Sequence, residues 1–405
     1  MTLVSFWYVV LVLLWTGFLL LEGFDFGVGM LHRLVGRDEA GVQTAIRTIG
    51  PVWDGNEVWL IVVVAATFAA FPSWFATMLS GFYPVFLVVL VGLILRGVSF
   101  EFRSHSTDPR SRRLWSAALT VGSLVVPLGL GIVLGGLLGG LPIDSQQEFV
   151  GDVGDLFGLY SVVTGVTITL LCLVHGAAFL ALRTADDLRS RALTAGRVVG
   201  PPAAVLVVVW TLWTRIASGN GVLLSVSEFG AVLAAIAAAV LLAGGREGAG
   251  FVATSLALAG VVVSLFSELA PRVMVSTLGA ANDLTATGTA SSPYTLGVMT
   301  VVLAVLLPVV VLYQWWAYRV FGGRVRTGLD QSTHPSGTSA EALVGGGRGS
   351  RINRPPLPRA GAGPPPKQPL GRLASWLLAW LAAWLIMRAV TAAVSADGDG
   401  PRGHV

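Results

Sequence analysis

FWYVVLVLLWTGFLLLEGFDFGVGML, residues 6–31, is an apolar run long enough to cross about 30 Å of hydrocarbon as one helix. Two acids interrupt it, Glu22 and Asp25. Three residues apart, they lie on one helix face, and Gly23 and Gly27 let a neighbouring helix approach there. Ionisable groups within a span are costly and turn toward the bundle interior. The stretch therefore reads as a membrane helix with an inward acidic face. No basic region precedes it, so it reads as a first span and not as a cleaved leader.

Working outward, eight more runs of this kind occur at 52–71, 77–100, 114–140, 157–182, 199–217, 227–243, 251–270 and 295–321. The composition agrees: 54% of the 405 residues are hydrophobic, 12% are charged, and mean hydropathy is +0.76. A soluble domain carries about 25% charged residues. Disorder, a disulfide scaffold (Cys172 is the one cysteine) and a collagen-like fibre are excluded as well. Continuous runs, without strict alternation, exclude a β-barrel. The fold class expected is all-α: a polytopic membrane protein of nine transmembrane helices in residues 1–326.

Arginine distribution predicts the orientation. The connections 32–51, 96–113, 183–198 and 244–250 hold 13 arginines, whereas the opposite connections hold Arg215 and Arg272. By the positive-inside rule the N-terminus lies outside and the chain after about 321 is cytoplasmic. Head groups account for this basic surplus without nucleic acid. Residues 327–372, rich in Pro, Gly and Arg, read as a disordered linker. A last apolar run, 373–395, carries Trp376, Trp380 and Trp384 on one face. It is either an interfacial helix or a tenth span.

Acidic residues concentrate toward the cytoplasmic side. Asp54 and Glu57 follow Trp53 in GPVWDGNEVWL, residues 50–60, with Asn56 between them. Glu101, at the inner end of the third span, can join Glu22 and Asp25, with Arg96 and Arg103 as counter-charges. Crowded, partly buried carboxylates can take up and release protons near neutral pH, which suits proton entry. The competing reading is structural: Asp25 and Asp54 pair with Arg96 or with helix N-terminal amides. His175 is read as the one histidine well inside a span. It is either a hydrogen-bonded packing residue or a ligand. No two-His, CxxCH or HExxH pattern accompanies it, so no metal site and no haem ligand pair is expected in this chain. Glu228 and Glu268 read as interfacial carboxylates, and Asp283 as a solvated one.

Five blocks resemble subunit II of the cytochrome bd quinol oxidase family. LLEGFDFGVGML at 20–31 resembles its first-helix signature, and GPVWDGNEVWL, FPSWFATMLSGFYP (71–84) and RGVSFEFR (96–103) follow in the family's order. SPYTLGVMTVVLAVLLPVVVLYQWWAYRVFGGR resembles its last helix. The resemblance implies a nine-helix, haem-free subunit paired with a subunit I that carries haem b, haem d and the quinol-oxidising loop. That complex oxidises quinol at the outer face of the bacterial plasma membrane and reduces O2 to water with cytoplasmic protons. This chain is then not catalytic by itself. The implied proton-pathway residues are Asp25, Asp54, Glu22 and Glu101, supported by Trp53, Asn56, Glu57, Arg96 and Arg103. Some members recruit a small single-helix accessory subunit, for which 373–395 is a candidate fused substitute. Membrane lipids and quinone are the remaining expected partners. The cyanide-insensitive type, which lacks haem d, shares the same subunit II. The alternative class is a stand-alone proton-coupled transporter, which intramembrane carboxylates also suit.

Overall fold

The computed structural model describes residues 2–219 and 223–325. The linker 327–372 and the apolar run 373–395 lie outside the described residues. The chain order is α1 (Leu3–Gly36), α2 (Glu39–Arg47), α3 (Trp53–Ala70), α4 (Pro72–Gly81), α5 (Tyr83–His105) and α6 (Pro109–Gly139). It continues with α7 (Leu159–Arg183), α8 (Asp186–Ser218), α9 (Val226–Ala243), α10 (Glu247–Leu269), α11 (Ala286–Thr289) and α12 (Pro293–Val320). Among the described residues nine of these, α1, α3, α5 to α10 and α12, are long and apolar enough to cross a membrane. The expected all-α, nine-span architecture is the one observed.

Local chemistry sets the ends. Thr2 caps α1 through its hydroxyl, which accepts from the Ser5 amide at 3.1 Å. Asp38 and Asp108 do the same for α2 and α6, and Ser225 with Glu228 forms a capping box on α9. The expected span 77–100 is corrected. Residues 72–81 form the separate helix α4, and α5 starts only at Tyr83. Pro72 opens α4 and Pro84 lies in the first turn of α5, where a missing amide hydrogen costs nothing. The expected loop 183–198 is also shorter than read, because α8 begins at Asp186 and continues through Pro201 and Pro202. With about 1.5 Å rise per residue, α1 is about 50 Å long. Its ends therefore project past a hydrocarbon layer of about 30 Å.

Helix α1 is the hub: α3, α6, α7 and α10 pack around it. Glycine makes the closest approaches. A Cβ on Gly27 of α1 would stand 2.7 Å from the Gly176 backbone of α7. On α6, a Cβ on Gly131 would meet Gly165 at 2.6 Å, and one on Gly135 would meet Thr164 at 2.7 Å. The periphery is different. In α12 only Leu296 is buried, and α3 and α5 carry exposed Ile61, Phe68, Leu87 and Ile94.

One end of the bundle is covered by the 141–157 connection and by a small antiparallel pair, β1 (Arg272–Met274) with β2 (Leu284–Thr285). Leu141 bridges to Ser276 and joins the two connections. Asp283 belongs to this cover and is not a free solvated carboxylate. It pairs with Arg272 at 3.6 Å and accepts from the Ser276 amide at 2.8 Å.

Candidate functional site

The acidic face of α1 meets an arginine of α5. Glu22, Asp25 and Arg96 are all fully buried, and the Arg96 guanidinium is ion-paired with Glu22. It also lies 3.5 Å from Glu57 of α3, whose side chain is a quarter exposed. Aromatic rings enclose the guanidinium: Phe26 at 4.9 Å, Phe100 at 5.7 Å and Trp53 at 6.0 Å. Trp53 and Phe100 stack on each other at 4.6 Å. Cation–π contact thus supplements one ion pair in a dry setting.

Asp25 is held from another direction. Its carboxylate accepts from the Asn56 side-chain amide at 2.7 Å, and the same amide donates to the Leu21 carbonyl at 3.1 Å. The Asn56 carbonyl oxygen accepts from Gln314 at 2.7 Å and from the Tyr318 hydroxyl at 2.8 Å. Asn56 therefore links α1, α3 and α12 through one side chain. The site gathers three carboxyl groups, Glu22, Asp25 and Glu57, around one guanidinium. A buried charge must be matched, so protons and polar donors have to supply what Arg96 does not.

The sequence-derived candidates separate into groups. Glu22, Asp25, Trp53, Asn56, Glu57 and Arg96 come together. Asp54 lies on the exposed side of the first turn of α3, close enough to Glu57 to interact electrostatically. Glu101 does not join the cluster, which corrects that expectation. Five residues past Arg96, it points about 140° away around the helix. Its side chain is 74% exposed and its partner is His105 at 3.4 Å. Arg103 is on the Arg96 face but two turns further along. There it donates to Glu39 at 2.7 Å, Gln43 at 2.5 Å and Ser116 at 2.8 Å. It fastens α2 and α6 to α5 and is not a counter-charge for Glu22 or Asp25.

Gln314 and Tyr318 were not among the candidates, although their place four apart near the end of the last helix was a readable signal. His32 was missed as well. It is fully buried four residues before the end of α1, with Nδ1 2.7 Å from the Gly29 carbonyl. His175 sits between three helices. Its Nδ1 is 2.6 Å from the Thr254 hydroxyl, its Nε2 is 3.2 Å from the Leu20 carbonyl, and its ring stacks on Phe251 at 4.4 Å. Among the described residues, no three His, Cys, Asp or Glu side chains converge as metal ligands.

A second charge cluster lies where α8 ends and α9 begins. Arg215 pairs with Glu268 at 2.7 Å and lies 3.7 Å from Glu228, which is fully buried. These two acids are therefore interior partners of an arginine, and the expectation of ordinary interfacial carboxylates is corrected.

Comparison with known proteins gives a consistent answer. The family model described as cytochrome bd terminal oxidase subunit II matches residues 3–321. The chain is 40% identical over 323 residues to cytochrome bd ubiquinol oxidase subunit 2 of Bacillus subtilis, covering 79% of this chain and 96% of that one. It is 31% identical over 368 residues to cytochrome bd-I ubiquinol oxidase subunit 2 of Escherichia coli K12, covering 81% and 97%. A chain of the bd oxidase structure from Geobacillus thermodenitrificans superposes with a TM-score of 0.59 at 19% identity, covering 79% of this chain and 99% of that one. At that identity the likeness speaks for the fold. The match across nearly the whole bundle, with relatives aligned almost end to end, means that this chain belongs to the cytochrome bd terminal oxidase subunit II family.

Proposed function

We propose that this chain is the haem-free member of a quinol:O2 oxidoreductase in a bacterial plasma membrane, and that its buried acidic cluster feeds cytoplasmic protons to O2 reduction. Reducing one O2 to two waters consumes four electrons and four protons, so a bd-type complex needs a conduit through its own helices. The observation that carries this reading is the surplus of carboxyl groups: Glu22, Asp25 and Glu57 share Arg96, deep between α1, α3 and α5. Glu22 and Asp25 lie about 28 Å and 33 Å along α1 from its first residue, well inside the bundle. Asp54, exposed at the start of α3, stands at the entry side, with Glu57 next inward. Glu101 is left on the outer surface of α5, where it can serve only as a peripheral acid.

In this reading haem b and haem d sit in a partner subunit I, with quinol as the substrate of the complex. The surroundings of His175 support a haem-free reading: both ring nitrogens have polar neighbours and its face is stacked on Phe251. The arginine distribution supports an outer N-terminus and a cytoplasmic chain after about 321. A small accessory subunit, or the segment 373–395 in its place, completes the proposed assembly.

The test is Asp25→Asn and Glu22→Gln in the complete complex, purified by a tag on this chain. The wild-type eluate should contain a second polytopic subunit and show b- and d-type bands in the reduced-minus-oxidised spectrum. Asp25→Asn should lower O2 consumption by about tenfold or more while the haem bands persist. Normal turnover in both variants, with normal assembly, would remove the proton role. A haem-free chain eluting alone in mild detergent would favour the proton-coupled transporter.

A further inference from the structure

A groove of about 500 Å³ runs between α1, α6, α7 and α8, at the membrane face where α1 ends and α6 and α8 begin. Its walls are apolar: Met30 and Leu34 of α1, Leu124 of α6, Leu173 of α7, and Val198 and Val199 of α8. Leu34 and Val198 are 73% and 67% exposed, so the apolar surface opens outward. At its end the character changes abruptly. Arg37, just past the last turn of α1, and Arg191 of α8 both line the groove. Arg113 lies seven residues before the groove residue Thr120, on the same stripe of α6, and Arg33 lies one turn before Arg37. Arg37 and Arg113 are exposed and make no ion pair among the described residues.

The acids nearby do not balance this charge. Asp187 sits 3.5 Å from Arg191 with its side chain 91% exposed, and Asp38 is used as the cap of α2. Arg191 itself is fixed in place, because it donates to the carbonyls of Val35 at 3.0 Å and Gly36 at 3.4 Å. The groove therefore combines an apolar trough about 10 Å deep, from Met30 to Arg37, with a preset cationic rim at the head-group level. An acyl chain fits along the apolar trough, and an anionic head group on it would meet the arginines at the end.

We propose that this groove is a binding site for an anionic phospholipid, with one acyl chain against Leu34, Leu173 and Val198 and the phosphate between Arg37, Arg113 and Arg191. Basic pockets between membrane helices recognise such head groups by charge. The site lies apart from the Glu22–Arg96 cluster and stands whether or not that cluster carries protons.

The experiment uses the whole complex, exchanged through vesicles of three parts POPC to one part POPG, then purified, with the retained lipid counted by mass spectrometry. Wild type should keep POPG in preference to POPC. The double variant Arg37→Gln/Arg113→Gln, which changes exposed side chains only, should lose that preference by about tenfold or more at roughly fivefold per arginine. Ala195→Trp, which fills the groove, should expel the lipid without touching the rim. Equal retention of POPC and POPG by wild type would overturn the proposal. So would POPG retention unchanged in both variants, or a quinone recovered from the groove-dependent fraction. A chain ended after Val325 that retains more POPG than the full chain would put residues 326–405 in the groove, and the lipid site would be withdrawn.

Discussion

Glu22 and Arg96 form an ion pair in which neither side chain reaches solvent, and among the described residues Arg96 is the one arginine that pairs with Glu22 or Glu57. Such a pair is not a large net source of stability, because both charges had to leave water. Removing one member is another matter. Arg96→Met leaves a surplus of buried acid and should cost about 3–5 kcal/mol. Glu22→Gln should cost less, since Glu57 remains within 3.5 Å of Arg96. The double variant Glu22→Gln/Arg96→Met should recover part of the loss. Thermal unfolding of the detergent-solubilised complex, run as a double-mutant cycle, checks this. Strictly additive losses would mean that the two side chains do not depend on each other.

Asn56 is expected to matter more than an exposed polar residue at the start of a helix normally does. It gives its amide to Asp25 and its carbonyl oxygen to Gln314 and Tyr318. Asn56→Ala takes a partner from the buried Asp25 and the Leu21 carbonyl and from the half-buried Gln314 and Tyr318, so a loss of about 2–4 kcal/mol is expected. Gln314→Leu should be milder, because Tyr318 still reaches Asn56 at 2.8 Å. Melting temperatures of the two variants decide it. Equal effects would mean that the link from α3 to α12 carries little of the load.

Gly27 and Gly176 face each other where α1 crosses α7. A Cβ at Gly27 would stand 2.1 Å from the Cys172 carbonyl oxygen, and one at Gly176 would stand 2.4 Å from Gly27. These obstacles are backbone and cannot swing aside. Gly27→Ala or Gly176→Ala should part the helices beside Asp25 and cost about 1–3 kcal/mol or more. Gly230→Ala is the control, since nothing lies within 4 Å of its added carbon. Yield and thermal stability of the extracted complex provide the measurement, with loss at both crossing positions and none at Gly230.

The spans were legible because hydropathy is a property of the run itself. GFDFG also read correctly as an inward face, since three-residue spacing fixes which side chains share a stripe. Its glycines told of close packing, which Gly27 bears out. Pairing was less legible. Whether Arg96 meets Glu22 or Asp25 depends on how α5 is rotated and raised against α1, and no local pattern contains that. Glu101 illustrates a subtler failure, because a place at the inner end of the third span stood in for position around the helix. The break between α4 and α5 was visible in Pro72 and Pro84, yet apolar residues continue through both helices and hid it. Gln314 and Tyr318 gained their meaning only from Asn56, 258 and 262 residues away.

His175 separates packing from ligation. Its ring bridges α7 to Thr254 of α10 and to the Leu20 carbonyl of α1, and it is stacked on Phe251. Glutamine has an amide that can renew one of those hydrogen bonds but has no ring to stack. His175→Gln should therefore destabilise the bundle by about 1–3 kcal/mol, from one lost hydrogen bond and the lost stacking contact. The haem bands of the complex, scaled to the protein recovered, should stay unchanged if the side chain serves to hold the helices together. Loss of a haem band in a variant that still assembles would make His175 a ligand and would overturn the packing role.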